Sequence, residues 1–381
     1  MSRGKKRQST LLVEGGRRKE WRGRLVNVPV ERASTILFDS VEQLDASGPK
    51  LGAYRYGLQG TATHWALSEA LTELEPGAAG TALYSTGLAA MTAALMSVLS
   101  SGDELFTTDS VYGPTRKFCD TVLKRFGVKT RYYDPLIGGG IANLISDKTR
   151  AILLESPGSL TMEVQDVPAI CAVARERGIV TVLDNTWATP LFFPAIAAGI
   201  DISVLAATKY VGGHADVMLG AATANEAHFS NLQRTSWDIG HAVSADDAWL
   251  GSRGLRTMGV RLKQHEASAL KIAVWLKEQP QVGLVLHPAL PDCPGHELWK
   301  RDFTGSSGLF SFELRGDTTA FADRLQLFGI GYSWGGYESL VLPVNPHRAV
   351  SKAPAANLVR LHIGLEDADD LIEDIALALP I

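Results

Sequence analysis

Short runs of Val, Ile and Leu alternate with helical patterns through the middle of this 381-residue chain. Ala151-Ile152-Leu153-Leu154-Glu155, Ile179-Val180-Thr181-Val182-Leu183 and Ile202-Ser203-Val204-Leu205-Ala206 are nearly unbroken apolar segments, with helical patterns over 167–177 and 193–199 between them. Strands read this way when helices cover both faces of a mostly parallel sheet. Upstream, Thr81–Tyr84, Glu104–Thr107 and Thr130–Tyr133 add strands, and helices are expected over 64–75, 88–99 and 114–126. Sheets of this kind bind ligands beyond the carboxyl ends of their strands. Three polar groups stand at such ends: Ser85-Thr86-Gly87, Asp184-Asn185-Thr186 and Thr208-Lys209-Tyr210.

The flanking segments differ. Residues 1–60 are polar, end in a Gly-rich stretch and show few helical patterns, so they read as an extended arm. Beyond a sheet-bearing domain over 61–250, a long helix over 251–276 leads into a smaller α+β region ending at 381. Its strands are expected at 308–314 and 361–364, its helices at 318–328 and 367–378. Net charge is −4, and no apolar run approaches the roughly 18–20 residues of a membrane span. Neither a nucleic-acid nor a membrane partner is therefore expected. One local exception is basic: Arg3, Lys5, Lys6, Arg7, Arg17, Arg18, Lys19, Arg22 and Arg24. Such a run can be a targeting signal or a nucleic-acid arm; we read it as a solvated arm docked on a neighbouring subunit. Cys119, Cys171 and Cys293 are widely spaced with no Cys-x-x-Cys pair, which disfavours metal or dithiol chemistry and fits a reducing cytoplasm.

Each strand-end group has a chemical and a structural reading. Gly87 and Leu88 open a helix, where free N–H groups and the helix dipole suit a phosphate, although many Gly turns precede helices. Asp184, at the rim of a buried strand, needs a partner. It either caps a helix or pairs with a cationic ring nitrogen on a ligand. Lys209 follows an apolar strand and is flanked by Gly212 and Gly213. A desolvated lysine loses proton affinity and can form a Schiff base. The three groups together are more specific than any alone.

Asp184-Asn185-Thr186, followed by Ala207-Thr208-Lys209-Tyr210-Val211-Gly212-Gly213-His214-Ala215-Asp216, resembles the signature of the Cys/Met-metabolism enzymes that use pyridoxal 5′-phosphate (PLP). The resemblance runs from about Asn27 to Asp374. Glu155-Ser156-Pro157-Gly158-Ser159-Leu160-Thr161-Met162-Glu163 and Tyr332-Ser333-Trp334-Gly335-Gly336-Tyr337-Glu338-Ser339-Leu340 look most like the β-lyase branch. The resemblance implies fold type I, with a large PLP-binding domain and a smaller C-terminal domain. It also implies a cytoplasmic enzyme of methionine biosynthesis that cleaves amino-acid thioethers by α,β-elimination. Lys209 would carry PLP covalently and move protons, Asp184 would pair with the pyridinium nitrogen, and Tyr112 would stack on the ring. Gly87, Leu88 and Thr208 would hold the phosphate. Arg360 would grip the substrate α-carboxylate, with Ser333 and Trp334 nearby. Tyr56 would reach a neighbouring subunit's cofactor, implying a dimer at least; the family is usually tetrameric.

The sequence departs from the family pattern in the arm, where Tyr-x-Arg is usual and Tyr56-Gly57 is followed by Leu58 and Gln59. Arg55 lies on the other side of Tyr56 and substitutes only if the backbone shifts. With that charge gone, Arg116 and Lys117 are expected to take the distal carboxylate of the substrate. Ala206 sits where many relatives place a Ser beside the phosphate. Within the family the γ-lyases, γ-synthase and methionine γ-lyase remain alternatives, as does a broad cysteine-conjugate β-lyase. The neighbourhood Gly113-Pro114-Thr115 lacks the reactive Cys of methionine γ-lyase. A PLP-fold protein without turnover and a nicotinamide dehydrogenase are weaker readings; for the latter, no Gly-x-Gly-x-x-Gly follows the first strand.

Overall fold

The computed structural model describes residues 6–48 and 52–380; Arg3 and Lys5 of the basic run lie outside them. Seven strands form the larger sheet: β1 (Gly80–Tyr84), β2 (Glu104–Thr108), β3 (Lys129–Tyr133), β4 (Thr149–Glu155), β5 (Val180–Asp184), β6 (Ile202–Leu205) and β7 (Gly220–Ala224). Their order is β1-β7-β6-β5-β4-β2-β3, and only β7 runs antiparallel to its neighbours. The central strands are buried along most of their length, as their continuous apolar sequences require. Six strand ends therefore meet on one edge: Tyr84, Thr108, Tyr133, Glu155, Asp184 and Leu205.

A second sheet of five strands has the order β10-β11-β12-β9-β8. Its members are β8 (Val282–Leu286), β9 (Leu309–Leu314), β10 (Gly329–Ile330), β11 (Leu340–Val344) and β12 (Leu358–His362). Phe310, Phe312, Phe321, Leu361 and Ile375 fill the core between this sheet and the helices Met258–Lys277 and Ala368–Ala378. Among the described residues no helix is long and apolar enough to cross a membrane.

Four local expectations are corrected. The long helix expected over 251–276 is two helices, Ala245–Leu255 and Met258–Lys277. Gly254 packs so closely on the carbonyls of Val211 and Gly212 that a Cβ there would lie 2.3 Å or less from their oxygens. The Gly254 carbonyl freed at the break accepts from Arg261 Nη2 at 2.8 Å. No helix forms over 193–199. Pro194 lacks an amide proton, and the Ile196 amide is taken by buried Glu75 at 3.1 Å instead of by a helical carbonyl. The helix expected over 114–126 is α-helical only over Gly113–Phe118 and widens into a π-helical turn over Cys119–Leu123.

The arm is also more helical than its sequence suggests, with helices at Gln8–Glu14, Lys19–Arg22 and Val41–Ala46. The first docks on its own chain: Leu12 is buried with Leu67, Leu71 and Met258, and Arg256 Nη1 donates to the carbonyls of Leu12 and Gly15. A seven-residue helix without a side-chain cap is unstable by itself, so tertiary packing supplies the order that periodicity did not reveal. Strands β7, β8, β10 and β11 were not anticipated. β7 reads Gly-Ala-Ala-Thr-Ala, too small and too weakly β-branched to signal a strand.

Candidate functional site

At the end of β6 the chain turns through Ala206, Ala207 and Thr208, and places Lys209 at the shared edge of the sheet. Its Nζ donates to Ser333 Oγ at 2.6 Å and lies 5.3 Å from the Trp334 ring centroid. Burial lowers the Lys209 pKa to about 8. The Arg360 charge pushes the same way, and Asp184 partly opposes it. The amine is thus partly deprotonated near neutral pH, in a site that also holds a cation.

Asp184 ends the neighbouring strand β5. Its Oδ1 accepts from the Thr186 amide (3.0 Å) and the Thr186 hydroxyl (2.5 Å), and no described donor is assigned to Oδ2. Thr186 Oγ1 in turn accepts from the Ala206 amide at 2.8 Å, so the β5 and β6 ends are tied together. Burial raises the Asp184 pKa, against the Thr186 bonds and the Lys209 charge. One oxygen is anchored and the other is available to a cationic ring nitrogen. Glu155 is the register partner of Asp184 on β4, and its Oε2 accepts from the Tyr112 amide at 2.7 Å. Burial and the Asp184 charge hold its carboxyl well above the usual range.

Gly87 begins the helix Gly87–Met96 after β1. Thr86 caps it by accepting from the Ala89 amide at 3.0 Å, which leaves the Gly87 and Leu88 amides with no assigned acceptor among the described residues. Gly87 is required by close approach: a Cβ there would meet the Ala206 Cβ at 2.5 Å. The helix start is therefore drawn against the turn that carries Lys209. Thr208 is placed differently from the expectation. Its hydroxyl accepts from the Leu219 amide at 2.8 Å and its proton points to the Leu219 carbonyl at 3.1 Å. A phosphate contact from Thr208 requires that second bond to be given up.

Arg360, on β12, brings the smaller sheet to the same edge. Its Nη2 donates to the Ser333 carbonyl at 3.0 Å. Ser333 adopts φ +88°, a conformation that costs a non-glycine residue roughly 1–3 kcal/mol. It is held there at both ends, by Lys209 on its hydroxyl and Arg360 on its carbonyl. Trp334 packs beside Tyr210 with ring centroids 5.4 Å apart. Tyr112 is about half exposed at the N-terminus of the helix Gly113–Phe118. Burial and the charges of Glu155 and Asp184 raise its pKa, and Arg360 opposes them, so Tyr112 belongs to the same cluster.

Arg116 does not serve as the free cation expected for a distal carboxylate. It is buried, with Nη2 2.8 Å from Asp109 Oδ1 and the guanidinium 3.9 Å over the Tyr132 ring. Lys117, its neighbour, is exposed. Asp109 also accepts from the amides of Ala349, Val350 and Ser351 at 2.8 Å and from the Ser351 hydroxyl at 2.9 Å. This fixes the loop between β11 and β12 to the end of β2, three residues before Tyr112. Burial alone would raise the Asp109 pKa; the three amides and Arg116 outweigh it and bring it to about 2. The stability this confers is complete above the unfolded pKa near 3.8 and falls away as pH drops towards 2. Asp109→Asn is expected to cost about 3–5 kcal/mol in urea unfolding at pH 7, because it leaves Arg116 buried and unpaired; a loss below 1 kcal/mol would contradict this assignment.

Tyr56 is exposed on the arm, paired with Thr35 in an isolated antiparallel bridge, and none of its described contacts is with the Lys209 cluster. Arg55 is exposed beside it, and Leu58 and Gln59 lie in the short helical turn Gly57–Gln59. Sequence reasoning missed the structural roles of Asp109, Glu155, Thr186 and the buried pair His265 and His362. Asp109 and Glu155 follow or end apolar strands, so the rule that exposed Asp184 also applied to them.

The donor set fits PLP on three observations: free amides at Gly87 and Leu88, the available Oδ2 of Asp184, and the partly deprotonated amine of Lys209. Relatives share the architecture and much of the sequence. The chain is 46% identical to cystathionine beta-lyase MetC of Escherichia coli, with 97% of each chain covered, and 45% identical to cystathionine beta-lyase of Haemophilus influenzae, with 96% of each covered. It superposes on the crystal structure of metB from Corynebacterium glutamicum with a TM-score of 0.92 at 29% identity over 98% of each chain. Residues 9–380 match the Cys/Met metabolism PLP-dependent enzymes, and the chain belongs to that family.

Proposed function

We propose that the protein is a PLP-dependent carbon–sulfur lyase that converts L-cystathionine and water to homocysteine, pyruvate and ammonia by α,β-elimination. The observation that carries this is the convergence of Lys209, Asp184 and Arg360, from two sheets, on one strand-end edge, with Ser333 bonded to both Lys209 and Arg360. The relatives named cystathionine beta-lyase support the choice of substrate.

Bound PLP supplies an electron sink for charge developed at the substrate Cα. Lys209 would hold the cofactor through its amine, and that amine would take the Cα proton and deliver a proton to the departing sulfur. Asp184 Oδ2 holds the pyridine nitrogen protonated, with Thr186 fixing the carboxylate through Oδ1. Gly87 and Leu88 bind the phosphate through their amides, and Thr208 joins them by turning away from Leu219. Tyr112 stacks on the ring and assists removal of a proton from the substrate amine. Arg360 takes the α-carboxylate as a fork, and Ser333 and Trp334 wall that end of the cleft.

Tyr56 acts in a neighbouring copy, which makes an active dimer and, by pairing of dimers, a homotetramer in the cytoplasm. The exposed apolar side chains of Leu25, Val26, Leu37 and Val41 on the arm support this association. Lys117 is left as the cation for the distal carboxylate, and Arg55 is the arm cation nearest Tyr56.

The Lys209 amine offers a direct check. In cofactor-free protein, its reductive methylation should rise with pH and be half-maximal at about pH 8, since the amine is protonated below its pKa and nucleophilic above it. A midpoint near that of surface lysines, about 10.4, would contradict the desolvated placement.

A further inference from the structure

Two buried histidines stand behind the site. His362 lies two residues beyond Arg360 on β12, so both side chains project from the same face of the strand. They grip alternate points of one loop. Arg360 holds the Ser333 carbonyl, and His362 Nε2 lies 3.0 Å from the Gly335 amide and 3.1 Å from the Gly336 carbonyl. This loop carries the hydroxyl bonded to Lys209, and both Ser333 and Gly335 sit at φ +88°. Gly335 packs directly on the Lys209 backbone, where a Cβ would lie 3.0 Å from Lys209 Cα. Glycine takes this conformation freely, but Ser333 does not, and a non-glycine residue held there needs external restraint to persist.

The outer nitrogens of the two rings meet different backbone groups. The second histidine, His265, lies on the helix Met258–Lys277, and its Nδ1 faces the Ile363 carbonyl at 2.8 Å. A carbonyl only accepts, so Nδ1 of His265 carries the proton and its Nε2 is an acceptor. That Nε2 is buried and unpartnered, and so is Nδ1 of His362; the two rings are 5.2 Å apart. No hydrogen bond joins these two atoms, but His362 Nε2 bonds the loop in either tautomer, accepting from the Gly335 amide when Nδ1 carries the proton and donating to the Gly336 carbonyl when Nε2 does. Both rings are at most 1% exposed, and burial lowers both pKa values, to about 3 for His362, so the pair stays neutral. Tyr210, adjacent to Lys209 in sequence, fills the remaining side, 5.5 Å from His265 and 6.2 Å from His362.

We infer that His265 and His362 are positioning residues, a packed pair in which His362 bonds the Ser333–Gly336 loop and His265 backs its ring, holding the loop in its carboxylate-binding shape. The inference deepens the proposed function and rests on it for the identity of the carboxylate bound by Arg360. Neither histidine touches substrate. Their effect is on substrate binding through the loop, with the proton-transfer step at Lys209 left largely intact.

The test uses the holoenzyme and reads amide hydrogen exchange over a peptide spanning residues 332–339 together with steady-state kinetics. His362→Leu should speed exchange in that peptide by about 10-fold or more while leaving the β2–β5 peptides at the parent rate. It should raise KM for L-cystathionine about 10- to 30-fold with kcat within about 3-fold. His362→Gln, whose Oε1 can accept from Gly335, should recover most of both. His265→Asn retains a donor for Ile363 but loses the ring packed against His362, and should speed exchange of the same peptide by a smaller factor. Parent exchange in His362→Leu, faster exchange spread evenly over the molecule, or no recovery in His362→Gln would each overturn the inference. Failure of the parent enzyme to release pyruvate would instead sink the lyase assignment, and the exchange data would still judge the histidine pair.

Discussion

Lys209→Ala is expected to lower pyruvate release from L-cystathionine by about four orders of magnitude or more, the loss typical when a group that moves the reacting protons is removed. Two physical consequences are combined in this one substitution. In the proposed function, the amine that would bind the cofactor covalently is lost, and so is the base that would take the Cα proton. The buried setting makes the effect specific to this lysine. At a pKa of about 8, a useful fraction of the amine is neutral near physiological pH. Fold disruption is not expected, because the Nζ makes one hydrogen bond, to Ser333, and Ala leaves the β6 turn and the Thr186–Ala206 bond in place. Circular dichroism matching the parent, with activity gone, is the predicted pair of results; activity within 10-fold of the parent would remove Lys209 from the chemistry.

Arg360→Ala is the second large effect. The guanidinium is part-buried beside the carbonyl of strained Ser333, and in the proposed function its fork is the main cation set against the substrate α-carboxylate. Removing one partner of a desolvated charge pair costs about 2–5 kcal/mol, so kcat/KM should fall by roughly 10²- to 10³-fold, mostly through KM. Arg360→Lys should recover little, since an ammonium cannot bond both carboxylate oxygens in the plane of a fork. Equal kcat/KM for the Lys variant and the parent would show that Arg360 serves only the Ser333 turn.

The parts of this molecule that were legible in its sequence are those where one constraint dominates. Strands β4, β5 and β6 are buried on both faces, so they must be continuously apolar, and the polar residues that end them are conspicuous. That contrast exposed Asp184 and Lys209. Elsewhere, tertiary contacts overrode the local pattern. The periodicity over 251–276 is real, but Gly254 must approach the Val211 and Gly212 carbonyls, and the helix breaks there. The apolar run 193–199 resembles a helix until buried Glu75 takes the Ile196 amide. Arg116 was read as a solvent-facing cation because its helix follows Tyr112. Asp109, seven residues earlier, claims it in three dimensions. The histidine pair left no local signature, since His265 and His362 are 97 residues apart and meet only when β12 packs on the long helix.

The most direct measurement of the central claim is the identity of the 2-oxo acid released when the purified, PLP-loaded protein is given L-cystathionine. Cleavage on the β side gives pyruvate and homocysteine in equal amounts, and this is the predicted result. Release of 2-oxobutyrate with cysteine would place the broken bond on the γ side and contradict the β-lyase assignment, while leaving the family and the Lys209 site intact.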